Sequence, residues 1–304
     1  MTLSILGCGS AKPTQRHRPS SQVLTVRSSH YIIDCGEGMQ ENYARMQLGY
    51  NGLSDIFISH LHGDHCFGLL GFLSTMALSK NKAGRITIHC NKDGIELFSP
   101  LLKYFCNDSP FEIVFKAVPY ANEIIHEDDR VIVTAIPLKH RVPTTGFLFE
   151  AKSNGRRHII KEKVDELGIP SAYMRNLTLG LDYVTPSGIV IPNRELTTDP
   201  DPSVRYAYCS DTRPASKIVP MISGVDWLYH ESTYADDNIK NAHDRFHSTA
   251  RQAAQTALEA GAGTLLLGHY SSRYKDEQTL LSEAKEVFPN TFLSNELQQW
   301  HITG

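Results

Sequence analysis

The sequence predicts an α/β protein built from two stacked β-sheets covered by helices, and three observations carry that prediction. Short β-type runs cluster in each half of the chain, helical segments are interspersed among them, and one long middle stretch breaks the pattern. At 304 residues, with 41% hydrophobic and 21% charged residues, the chain can bury a full core as one domain, residues 1–304.

The first runs are "LSILGCG", "SQVLTVRS", "HYIIDCGEG" and "DIFISH", each bounded by Gly, Ser or Pro. The opening "MTLSILGCGS" reads as the first strand; it lacks the basic residues and core length of an export signal. "FGLLGFLSTMALSK" is too long for a strand and spaced as a helix. Strand-like runs resume at "RITIHC", "FEIVFKAV", "RVIVTAIPL" and "TTGFLFEA", and again at "VRYAYCSD" and "DWLYHES". "HSTARQAAQTALEAGAG" predicts a helix capped by Ser248 or Thr249, lined with alanine and stopped by Gly261. "TLLLGH" and "KDEQTLLSEAKEVF" add a strand and a helix. Between them, residues about 152–204 are punctuated by Gly, Pro and Asn with weak periodicity, which predicts an inserted arm rather than a second core.

Composition narrows the function. No apolar run approaches the roughly 20 residues needed to span a bilayer. Six cysteines without a C-x-x-C pair point to reduced, buried thiols and the cytoplasm. A net charge of −3 exerts no overall pull on nucleic acid, so a polyanionic substrate needs a local basic surface.

Four strand-like runs end in a potential metal ligand: His60, His140, Asp211 and His269. Sheets that direct polar side chains to one rim hold ligands rigidly while the loops stay open. The stretch "SHLHGDHCFG" is the densest point. His60 and His62, two apart on extended backbone, face one side; Gly63 allows a sharp turn; Asp64 and His65 then open a helix. Adjacent residues diverge, so the simplest outcome is two metals, one on His60 and His62 and the other on Asp64 and His65. Nitrogen and carboxylate donors without thiolate suit catalytic zinc and tolerate manganese. Two divalent ions against two aspartates and a hydroxide leave about one positive charge, which favours a phosphodiester. Carboxylate-bearing lactams and thioesters remain compatible.

A second constellation, "HESTYADDNIKNAHDRFHST", holds His230, Glu231, His243 and His247. A Glu–His pair beside a dinuclear centre could protonate a leaving alkoxide; Glu231 and His247 could equally brace the following helix. Basic residues form two groups: Lys12, Arg16, His17 and Arg18 in one loop, and Lys152, Arg156, Arg157, Lys161, Lys163 and Arg175 in the arm. Each reads either as a solvated face or as part of a nucleic-acid track.

"SHLHGDH" resembles the His-x-His-x-Asp-His signature of the metallo-β-lactamase superfamily, with His140, Asp211 and His269 in the order of its remaining ligands. Within it, "HEST…HST", "GHYSSRY", "DCGEGMQ" and "GCGSAKPT" are similar to the ribonuclease Z family, over residues about 1–150 and 205–300. That resemblance implies a four-layer αββα sandwich and a tRNA 3′-processing endoribonuclease with two zinc ions. It implies one zinc on His60, His62 and His140, another on Asp64, His65 and His269, and Asp211 bridging them. Asp64 would accept a proton from the attacking water, and His247, oriented by Glu231, would protonate the leaving ribose oxygen. Arg16 and Arg18 of the loop and the basic residues of the arm would grip precursor tRNA, usually in a homodimer. The competing expectations are a hydrolase of small esters, thioesters or lactones on the same scaffold, and a non-catalytic nucleic-acid-binding relative.

Overall fold

A computed structural model describes residues 1–79 and 84–303. Along the chain, β1 (Thr2–Gly7), β2 (Ser21–Val26), β3 (Ser29–Ile33), β4 (Leu53–Phe57), β5 (Arg85–Cys90) and β6 (Glu112–Ala117) lie side by side in one sheet. β7 (Ile124–Glu127), β8 (Val131–Leu138) and β9 (Thr144–Ala151) begin a second sheet. Four two-residue strands follow in the middle segment: β10 (His158–Ile159), β11 (Tyr183–Val184), β12 (Val190–Ile191) and β13 (Thr197–Thr198). β14 (Val204–Cys209), β15 (Trp227–Glu231), β16 (Thr264–Gly268) and β17 (Thr291–Leu293) complete the second sheet, and β18 (Gln299–His301) returns to pair with β1.

Each sheet has seven strands, in the orders β18-β1-β2-β3-β4-β5-β6 and β17-β16-β15-β14-β9-β8-β7. Each is half antiparallel and half parallel: β3 to β6 run parallel in one, β14 to β17 in the other. Alternation explains why the strands read as nearly continuous apolar runs. Leu24, Tyr31, Ile33 and Phe57 face the second sheet and pack with Val133, Phe147, Phe149 and Tyr206. Their neighbours Val23, Ile32, Ile56 and Ile58 face outward and are covered by Leu69, Phe72, Leu73 and Met76 of the helix Gly68–Leu78. A strand buried on both faces needs apolar residues at every position. That helix falls inside the expected 67–80, of which Lys80 lies outside the described residues.

On the far side, the helix Ala250–Ala260 buries Ala250, Ala253, Ala254, Ala257 and Ala260 against the second sheet. Of the two candidate caps Thr249 takes the role, in a reciprocal capping box with Gln252, and Gly261 ends the helix at φ 63°. Ser248 instead donates to the Thr212 carbonyl at 2.7 Å. The layers are therefore helix, sheet, sheet, helix. The helix Lys92–Phe105, not anticipated from the sequence, is capped by Asn91 and carries Pro100 within it.

The segment between β9 and β14 has more internal order than its weak periodicity suggested. Val164, Ile169, Leu177, Tyr183 and Leu196 form a small apolar cluster of their own. Asn193 ties it together, its side-chain amide donating to the carbonyls of Leu177 and Leu181, both at 2.9 Å. All six cysteines are buried and unpaired. Among the described residues, no helix is long and apolar enough to cross a membrane.

Candidate metal centre

The loops following β4, β8, β14 and β16 converge on one rim, where His60, His140, Asp211 and His269 meet. The left-handed backbone of Asp211 (φ 56°) and His269 (φ 59°) marks strain accepted at the ligands themselves. The helix Gly63–Cys66 adds Asp64 and His65. The chain turns at Gly63 from the extended backbone of His62 into that helix, and a side chain there would strike the Phe67 ring. The motif is seated closely, because a Cβ on Gly36 would lie 2.7 Å from the Pro19 carbonyl oxygen and 2.8 Å from that of Asp64.

Two sets of donors form, and Asp211 belongs to both. In the first, His62 Nδ1 is 3.0 Å from His60 Nε2 and 3.3 Å from His140 Nε2. Asp211 Oδ2 lies 3.5 Å from His60 and 3.6 Å from His140. In the second, His65 Nε2 and His269 Nε2 are 3.3 Å apart, with Asp211 Oδ1 at 3.2 and 3.0 Å and Asp64 Oδ2 at 3.7 and 3.4 Å.

The outward-facing nitrogens show which lone pairs face inward. His65 Nδ1–H donates to Asp34 Oδ2 at 2.7 Å, and His140 Nδ1–H to the Phe246 carbonyl at 3.0 Å. His60 Nδ1–H donates at 3.0 Å to Ser59 Oγ, which itself donates to Asp34 at 2.8 Å. His269 Nδ1–H donates to Thr233 Oγ1 at 2.9 Å, which passes its own proton to Glu231. With their protons committed, these rings present bare Nε2 atoms to one another. Facing acceptors without a donor between them suit a cation, and tetrahedral Zn–N bonds of about 2.0–2.1 Å imply donor separations of roughly 3.3 Å. The donor sets therefore fit divalent metal.

The electrostatics agree. Burial pushes His60, His62 and His140 below their ordinary range, which favours the neutral ligand form. At His65 burial also disfavours charge, but Asp211, Asp34 and Asp64 outweigh it and push the imidazole well up. That spot calls for positive charge. Asp64 accepts the Ala11 N–H at 2.6 Å, which joins the N-terminal loop to the rim.

Beside the donors, His247 Nδ1–H donates to Glu231 Oε1 at 2.8 Å. Burial opposes protonation of His247, but Glu231 outweighs it and pushes it up to about 9. Neither residue caps the helix that follows, since Thr249 takes that role. His230 turns into the core, its Nδ1–H donating to the Glu231 carbonyl at 2.8 Å, and His243 is exposed beside Arg213; neither joins the donors. A cavity of about 440 Å³ opens over His62, Asp64, Asp211, His247 and His269.

The basic residues lie differently from their grouping in the sequence. Arg16 pairs with Glu277 and donates to the Tyr274 carbonyl, and Arg18 pairs with Glu41 at 3.2 Å. In the arm, Arg157 pairs with Asp199 at 2.6 Å, Lys163 lies 3.9 Å from Glu166, and Arg156 reaches Thr178. Lys161 and Arg175 sit on the short helices Lys161–Glu166 and Met174–Thr178. None of these reaches the donors. The cations lining the cavity are Arg141, Arg245 and Arg273, which the sequence reading passed over. It also passed over Asp34, which accepts from Ser59, His65 and, at 2.7 Å, Tyr208.

Residues 1–154 match the profile of the family described as anti-Pycsar protein Apyc1. That segment holds His60 to His140 but none of Asp211, Glu231, His247 or His269, so the match concerns one half of the rim. Over nearly the whole chain, the match is to a different set of relatives. A ribonuclease Z from Porphyromonas gingivalis is 49% identical over 297 residues, 97% of each chain. One from Bacteroides fragilis is 46% identical over 97% of this chain and 96% of its own. The chain belongs to the ribonuclease Z family. This is the family to which "HEST…HST" pointed. The fold agrees: human tRNase Z, short form, superposes with a TM-score of 0.71 at 23% identity over 100% of both chains. The metallo-beta-lactamase fold protein YhfI from Bacillus subtilis does so at 0.70, with 18% identity and 98% of both.

Proposed function

We propose that the chain is a zinc-dependent endoribonuclease that removes the 3′ trailer of precursor tRNA. The observation that carries this reading is the His247–Glu231 pair, held at 2.8 Å beside two donor sets that share Asp211. In a ribonuclease Z, that arrangement supplies what a phosphodiester with a poor leaving group needs.

His60, His62, His140 and Asp211 would hold one zinc, and Asp64, His65, His269 and Asp211 the other. Bound there, the cations would supply a nucleophilic hydroxide at neutral pH and stabilise charge on the phosphate. Asp64 accepts the proton of the attacking water. His247, kept protonated by Glu231, gives its proton to the ribose oxygen as the bond from that oxygen to phosphorus breaks. Arg141, Arg245 and Arg273 line the cavity and neutralise phosphates on either side of the scissile bond. The single domain 1–304 carries residues 152–204 as an exosite arm, whose Arg156, Arg157, Lys161, Lys163 and Arg175 grip the tRNA body. Arg16 and Arg18 contact the substrate near the rim. The enzyme works in the cytoplasm as a homodimer; its buried unpaired thiols suit a reducing compartment.

Incubating purified protein with a 3′-extended tRNA and zinc or manganese tests the reading. The expected result is one cut at the trailer junction. Intact precursor at full metal loading contradicts it.

A further inference from the structure

A second polar cluster joins the two sheets away from the rim. Asp55 on β4 lies five positions before His60, on the order of 15 Å toward the other end of the strand. Asp55 and Phe57 share a face, and in the ladder His89 of β5 stands opposite Phe57. Asp55 Oδ1 is 2.8 Å from His89 Nε2 and 3.3 Å from Nδ1 of His126, on the edge strand β7 of the other sheet. The three donor atoms lie within 4.8 Å of one another.

Hydrogen bonding satisfies this cluster only in part: His89 Nε2–H donates to Asp55 Oδ1 at 2.8 Å, and the further polar atoms around it are left over. Asp55 and His89 side chains are 6% and 1% exposed, and the His89 ring stacks on Phe57 at 4.3 Å. One carboxylate oxygen faces two imidazoles, while His89 Nδ1 is buried without a partner. Burying such groups is costly unless their lone pairs and charge are used. The other ring nitrogen of His126, Nε2, lies 3.4 Å from Asp128, and Tyr31 donates to Asp128 at 2.7 Å. His126 Nε2 makes no hydrogen bond to Asp128 in this arrangement, but a carboxylate on that side of the ring stands where the outer partner of a metal-bound imidazole is found. Charge also balances, since one divalent cation offsets Asp55 and Asp128.

We propose that Asp55, His89 and His126 bind a divalent cation separate from the rim, clamping the edge of the second sheet to the first. Two imidazoles and one carboxylate select zinc over magnesium or calcium. A fourth position is left for solvent, toward Asp128, whose side chain is 26% exposed. The site has no part in catalysis.

The test counts zinc in full-length protein purified with excess Zn²⁺ and freed of unbound metal. His126→Gln and His89→Gln should each hold one equivalent less than wild type, and melt lower, while cleaving tRNA at the wild-type rate. A His60→Ala/His65→Ala variant, with the rim disabled, should retain one equivalent and show visible absorption when loaded with Co²⁺. Equal zinc in wild type and His126→Gln overturns the proposal. So does a rim-disabled variant that holds none, a result that stands even where a glutamine variant fails to fold.

Discussion

The rim and the arm solve opposite problems. At the rim, ligands stand just beyond the ends of strands buried on both faces, and the second nitrogen of His60, His65, His140 and His269 is held by a further partner. In the arm, the strands are two residues long, the apolar cluster has five buried members, and charged side chains pair within the segment. Chemistry at phosphorus needs groups placed to about half an ångström. A grip on a polyanion needs reach and charge, and tolerates looseness. On the proposed function, turnover belongs to the rim and the grip on substrate to the arm, so the two should be separable by mutation.

The sharpest break comes from Asp211→Asn, which removes a charge from both donor sets. Turnover of precursor tRNA and of a small chromogenic phosphodiester should fall together by at least about 10³-fold, read in single-turnover assays. The arm should behave otherwise. Replacing Arg156, Arg157, Lys161, Lys163 and Arg175 by Ala should raise KM for tRNA about tenfold or more and flatten its salt dependence. The small phosphodiester should be cleaved as before; equal loss on both would erase the distinction between the regions. Arg157 should contribute least, because Asp199 already holds it.

Leu177→Ala opens the arm's cluster, costing about 2–4 kcal/mol of local stability. Limited proteolysis should then cut within 152–203 while the main thermal transition stays in place. The smallest effect concerns the N-terminal loop. Burial disfavours charge on His17, but Glu277 and Glu296 outweigh it and raise it from 6.5 to about 9. A folded value above the unfolded one means the contribution is full below about pH 6.5 and lost as pH rises through 9. Thermal melts at pH 7 and pH 9.5 should therefore differ more for wild type than for His17→Gln.

The rim ligands were legible because strand ends and a dense His/Asp motif are local signals. Asp34 was not singled out, since its partners Ser59, His65 and Tyr208 come together only in the folded sandwich. The loop of Arg16 and His17 looked like free positive charge because Glu277 and Glu296 lie more than 250 positions away along the chain. Arg141, Arg245 and Arg273 stand singly in sequence and meet only around the cavity. The arm's cluster was hidden because five apolar residues spread over short helices and two-residue strands make no period.

The central claim, that His247 hands a proton to the leaving ribose oxygen, is tested most directly by changing that atom. His247→Gln is assayed on a precursor tRNA with the natural leaving oxygen and on one with sulfur in its place, which departs without a proton. The variant should lose about 10²-fold or more on oxygen and little on sulfur. Equal losses on the two substrates would contradict it.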